Sequence, residues 1–225
     1  MIEPSTVRRP RAERGDYRAN HARLIRAAFA AFDETGVDTP LAAVAQRAGV
    51  GEATLYRHFA SREDLVAEMY EVGAAAIEQA AIEALAAPHP DVAARLDAFF
   101  EAMVGAISTH RCYAQLAPRG SRLRPDREVD PRGVTLMRAL VAEAQDAGLL
   151  APDVIGTDLT TLALTAGTLA ADSTPESDIG WQRHLAIGRR GLAPAGGPGE
   201  PAAIDLPAVP GRQRQPTMAR VHGWT

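Results

Sequence analysis

The chain has 225 residues, 46% hydrophobic and 23% charged, with a formal net charge of −4 and a single cysteine, Cys112. That length suits one large or two small domains. One cysteine excludes an internal disulfide and fits a reducing compartment, and the mild negative charge excludes a protein that coats nucleic acid by bulk charge.

The charge is polarised along the chain. Residues 1–62 carry 10 Arg against 7 acidic residues, a balance of +3, and residues 63–225 carry 14 against 21, a balance of −7. A basic end on an acidic body suits a protein that offers one surface to DNA. No charged-then-apolar leader opens the sequence, and the longest uncharged, mostly apolar run, Leu159 to Ala171, is too short to span a bilayer. The expectation is a cytoplasmic protein with no membrane partner.

Residues 1–16 hold Arg8, Arg9, Arg11 and Arg14 with little apolar content. They read as a disordered basic tail or as an arm for the minor groove. Helix 1 is predicted from Tyr17 to Glu34, with Leu24, Ile25, Ala28, Phe29 and Phe32 as its apolar stripe and Gly36 closing it.

The segment from Thr39 to Leu65 is the most informative. Thr39 is placed to cap a short helix, with Pro40 at its first position. Leu41, Val44, Ala45 and Ala48 share one face, and Gly49 stands where a left-handed residue ends the helix. A second short helix follows over about Glu52 to His58, with Leu55 and Phe59 inward. Ser61, with Asp64 three residues on, caps the next helix. Two short helices around a glycine turn are the shape that carries a helix into the DNA major groove.

The same shape occurs as plain packing in helical enzymes, but packing has no use for the exposed polar groups on and after the second helix. Thr54, Tyr56, His58 and Arg62 are candidate phosphate contacts that set register. Arg57 suits a phosphate or a guanine edge, and Glu52 and Ala53 suit base edges.

The run AGVGEATLYRHFASREDL resembles the TetR (tetracycline-repressor-like) family of one-component regulators, in its AGV turn, TLYxHF recognition helix and S-[KR]-E-x-L start to the following helix. The detailed match covers about residues 20–66. Gly51 stands where that family often has Ser, and Glu52 and Ala53 stand at positions usually apolar and glycine. The resemblance implies an all-α chain with an N-terminal three-helix helix-turn-helix DNA-binding domain and a C-terminal helical domain for ligand binding and dimerisation. It implies a repressor, released from a palindromic double-stranded DNA operator by a small-molecule effector.

The remaining pattern is helical throughout. Helices are predicted over Arg62 to about Ala87, Asp91 to Ile107, about Asp130 to Ala147, Asp158 to Ala171 and Asp178 to Gly191. Thr109 to Asp130, broken by Pro118, Gly120 and Pro125, reads as a short helix plus loops. From Ala193 the composition turns to Pro and Gly, as in a solvated tail. The domains are therefore an arm over 1–16, a DNA-binding domain over 17–61, an effector and dimerisation domain over 62–192, and a tail over 193–225.

For a homodimer seam the last helix pair is expected: Leu159, Leu162, Ala163, Ala166, Gly167 and Ala170 are small or apolar at helical spacing and Leu185, Ile187 and Gly188 follow, a pattern that also fits intrachain core. Candidates for an effector pocket are Phe99, Phe100, Met103, Tyr113, Gln115, Thr161 and Thr165, which also suit ordinary core. His110, Cys112 and His89 lack structural-zinc spacing, so no metal and no cofactor is expected. No HExxH, P-loop, GxSxG or dinucleotide fingerprint is present, so an enzyme is not expected. The alternative is a helical ligand-binding or protein-interaction module without specific DNA binding.

Overall fold

The computed structural model describes residues 11–173 and 179–195. Every regular element among them is helical: α1 (Arg11–Thr35), α2 (Leu41–Ala48), α3 (Glu52–His58), α4 (Arg62–Ala86), α5 (Val92–Ser108), α6 (Tyr113–Leu123), α7 (Pro131–Asp146), α8 (Gly156–Ala171) and α9 (Ile179–Leu192). Arm residues 1–10, Asp178 and the tail beyond Ala195 lie outside the described residues.

α1 begins six residues before the expected Tyr17. Arg, Ala and Glu dominate those residues and are good helix formers even without an apolar face. α1 ends at Gly36, whose φ of 90° lets its N–H return to the Phe32 carbonyl. The expected cap of α2 takes a different form. Pro40 is the N-cap, and Thr39 instead donates to the Gly36 carbonyl at 2.6 Å, a buried link within the turn. Gly49 does end α2 in the left-handed conformation (φ 65°, ψ 36°), its N–H on the Ala45 and Gln46 carbonyls. Ser61 caps α4, its hydroxyl accepting from Asp64 N at 3.1 Å while the Asp64 carboxylate accepts from Ser61 N at 3.0 Å.

Leu24, Ala28 and Phe32 of α1, Val44 and Ala48 of α2, Leu55, Phe59, and Leu65 and Met69 of α4 enclose the core of the N-terminal head. The same core continues along α4 into the body. At 1.5 Å per residue, α4 spans roughly 37 Å, and its later turns pack on α5, α6 and α7.

Its fit with α6 is reciprocal. A methyl at Gly73 of α4 would lie 2.6 Å from the Tyr113 ring of α6, and one at Gly120 of α6 would collide with Tyr70 of α4. α6 itself runs through Pro118, at the cost of the one hydrogen bond that residue cannot donate.

α8 lies along α5, with Gly167 pressed on Ile107. Leu159, Ala163, Ala166 and Gly167 are therefore buried inside the chain and do not form the expected seam. Spacing put them on one face, and α5 covers that face. α9 then covers Leu162, which fills the space over Gly188.

Candidate DNA interface and ligand cleft

α3 stands on the head with one side buried and the other free. Leu55 is fully buried and Phe59 nearly so, and they anchor the helix in the core of the head, the Phe59 ring 5.1 Å from His21 of α1. Between and around them, Glu52, Ala53, Tyr56 and Arg57 are exposed, Tyr56 at 52%. Thr54 is half-buried, its hydroxyl accepting from Arg57 Nη2 at 3.3 Å. Gly51 is the N-cap and has no side chain to give, so α3 starts without the side-chain cap that a serine there would supply.

The last two sequence candidates are engaged with the protein. The His58 ring packs 4.1 Å from Tyr17 and 5.6 Å from His21, centroid to centroid, with its Nδ1 buried and unpartnered. Burial, then His21 and Arg57, hold its imidazole below the usual range, so it sits there as a neutral ring between α1 and α3. Arg62, half-buried, donates from Nη1 to the Val37 carbonyl at 2.9 Å and ties the start of α4 to the α1–α2 turn.

Sequence reasoning missed Arg23. Its Nη2 donates to the Ala48 carbonyl at 2.5 Å and reaches the Gly49 carbonyl at 3.4 Å. It closes the C-terminus of α2 from outside, where a cation also suits the helix dipole. Only its position directly before the apolar stripe hinted at this.

Where the head meets the body, Asp33 of α1 receives the Cys112 N–H at 2.9 Å on one oxygen and His110 Nδ1 at 2.8 Å on the other. Burial opposes its ionisation, but those hydrogen bonds outweigh it and hold the carboxyl below its ordinary value. Burial, then the Asp33 carboxylate, push the Cys112 thiol far up. Arg119 of α6 adds an ion pair to Asp38 at 3.0 Å. His110 is thus committed to Asp33, while His89 Nε2 lies 2.8 Å from the Ala84 carbonyl.

A cleft of about 720 Å³ opens between α4, α5, the start of α6, the α6–α7 segment, α7 and the start of α8, a size that suits a small organic ligand. Of the residues named from the sequence as effector-pocket candidates, Phe99, Met103 and Tyr113 line it. Phe100, Gln115, Thr161 and Thr165 do not. Phe100 turns toward Arg189, whose guanidinium lies 5.4 Å over its ring, and Gln115 sits near Gly36. Thr161 and Thr165 are exposed one residue out of phase with Thr160 and Leu164, which do line the cleft. Burial pushes the Tyr113 hydroxyl up to about 12.

The cleft wall also holds a salt-bridge corner absent from the sequence reading. Arg127 Nη2 donates to Glu78 at 2.8 Å and its Nε to Glu71 at 3.1 Å, while Asp130 N donates to the other Glu78 oxygen.

Residues 24–69 match the family model of bacterial regulatory proteins, tetR family. Solved structures share the fold. One is a bacterial regulatory protein in the tetR family from Rhodococcus RHA1, at 17% identity, covering 77% of this chain and 97% of that one with a TM-score of 0.58. A TetR family transcription regulator from Marinobacter aquaeolei VT8 matches at 16% identity over 81% and 98% of the two chains, TM-score 0.58. The ketosteroid transcriptional regulator KstR2 of Mycobacterium tuberculosis matches at 21% identity over 77% and 95%, TM-score 0.52. No curated protein matches the chain in sequence.

Proposed function

We infer, from the match of residues 24–69 to the family model of bacterial regulatory proteins, tetR family, a sequence-specific DNA-binding repressor of that family that acts in the cytoplasm as a homodimer and leaves its operator when a small molecule fills the cleft. The observation that carries the reading is α3: its inner side is locked by Leu55 and Phe59 while Tyr56 and Arg57 project into solvent on a buttressed base. Tyr56, Arg57 and Thr54 suit phosphates, which fix register. Glu52 and Ala53 suit base edges near the helix start, where an acid can accept from a cytosine amino group. His58 and Arg62 support the reading helix from behind, and the Arg62 donors not spent on Val37 suit the same phosphates.

One helix of seven residues reads only a few base pairs, so a pair of copies reading two half-sites is the economical arrangement. The outward sides of α8 and α9, with Leu169 and Ile187 about half exposed, are the proposed seam.

Ligand in the cleft bears on α4, and α4 begins at the base of α3. The two ends are linked if the ligand prefers one orientation of α4. A coupling of about 1–3 kcal/mol lowers operator affinity roughly 5- to 150-fold.

Selection of bound fragments from a random DNA pool, followed by gel shift on the chain's own promoter, tests the reading. The expected result is a two-fold symmetric site. Binding with no sequence preference would instead favour a helical ligand-binding or interaction module.

A further inference from the structure

We propose that the cleft selects an amphipathic anion, with an apolar body on the floor and a carboxylate-like group at the mouth against Arg138. The proposal rests on the cleft being the effector site. Exposure grades the cleft from floor to mouth. Leu85, Phe99 and Met103 are buried at the bottom, whereas Val134, Ile155 and Leu164 at the opening are each more than 40% exposed. An occupant must therefore be mostly apolar along its length.

Its polar end is decided by which wall charges are already paired. Both Glu78 oxygens are taken, by Arg127 and by Asp130 N, and Glu71 is shared between Arg127 and Arg124. These two acids and two arginines cancel, so no acid on this wall is free to receive a cation. Gln145 spends its amide donor on the Ala151, Pro152 and Val154 carbonyls, and the Thr160 hydroxyl donates to Thr157.

Arg138 is different. It lines the cleft from α7, is exposed, and among the described residues has no ion-pair partner. Its helix neighbours three and four residues away are Val134, Thr135, Val141 and Ala142, so no acid on its own helix competes for it. An arginine with open donors beside an apolar well recognises a carboxylate, sulfonate or phosphate in fork geometry. An alcohol uses only part of that fork, and an ammonium is repelled.

Calorimetry on the full chain with decanoate, decan-1-ol and decylammonium, all below micelle-forming concentrations, tests this. Decanoate is expected to bind about tenfold or more tightly than the other two, the scale of a charge-assisted hydrogen bond. Arg138→Gln should bring decanoate to the level of the alcohol, and Val141→Trp should weaken all three by filling the well. Should Val141→Trp fail to fold, Val134→Trp at the exposed mouth replaces it. Equal binding of the three probes, or an unchanged decanoate affinity in Arg138→Gln, overturns anion selection while leaving the cleft as an effector site. Absence of all binding, or binding indifferent to both tryptophan variants, overturns the cleft reading with it.

Discussion

Tyr56 on α3 and Phe99 on α5 put aromatic rings to opposite uses. Tyr56 is half exposed among polar neighbours on a short helix, whereas Phe99 is fully buried at the floor of the cleft. The proposed reading surface is a single short element with its chemistry facing out, and the cleft is a set of distant segments with their chemistry facing in. A surface of the first kind depends on one short stretch of chain. A cavity of the second kind depends on how α4, α5, α7 and α8 meet.

The strongest way to break that comparison is on the inner side of α3. Leu55→Ala removes a fully buried side chain and is expected to cost about 2–5 kcal/mol, with stability and DNA binding falling together in urea titration and gel shift. The outer side should respond differently. Tyr56→Ala with Arg57→Ala is expected to lower operator affinity by about 2–4 kcal/mol, roughly 30- to 1,000-fold, while the urea midpoint stays within error of the parent. If both variants unfold the head equally, α3 has no free side.

In the body, Gly120→Ala places a methyl against Tyr70 and should destabilise by about 1–3 kcal/mol, measured by thermal melting. Gly49→Ala, forced into a left-handed conformation beside Arg23, should cost about 1 kcal/mol.

The smallest effect is at Asp33. Its folded carboxyl titrates below its unfolded value, so its contribution is present above about pH 4 and is lost as the pH falls through the folded value. The stability gap between parent and Asp33→Asn should therefore shrink between pH 7 and pH 3 in urea titrations.

The head was readable because its signals are local. Gly49, Ser61 with Asp64, and the Leu55–Phe59 spacing each act within a few residues of chain, and the structure has each where the sequence put it. The cap at Thr39 failed because the Thr35 hydroxyl and the Gly36 carbonyl in the tight turn outcompeted the helix terminus for its side chain. His58 looked outward because its partner Tyr17 lies 41 residues earlier in the sequence. In the body, periodicity grouped Leu159, Ala163 and Ala166 correctly but was silent on which neighbour covers them. Thr161 and Thr165 missed the cleft by a rotation of one residue, about 100°, which composition cannot resolve. The Arg127 corner joins Glu71 and Glu78 from some fifty residues away and left no local trace.

The glycine–tyrosine interlock between α4 and α6 has a mechanical consequence. Each helix presents a notch and a tooth to the other, with no clearance for even one added carbon, so neither can slide independently. Close-packed elements of this kind shift between discrete seatings rather than bending by degrees. Tyr113 is both a tooth of that gear and part of the cleft wall, so a molecule that displaced it would bear directly on the long shaft whose far end carries Arg62.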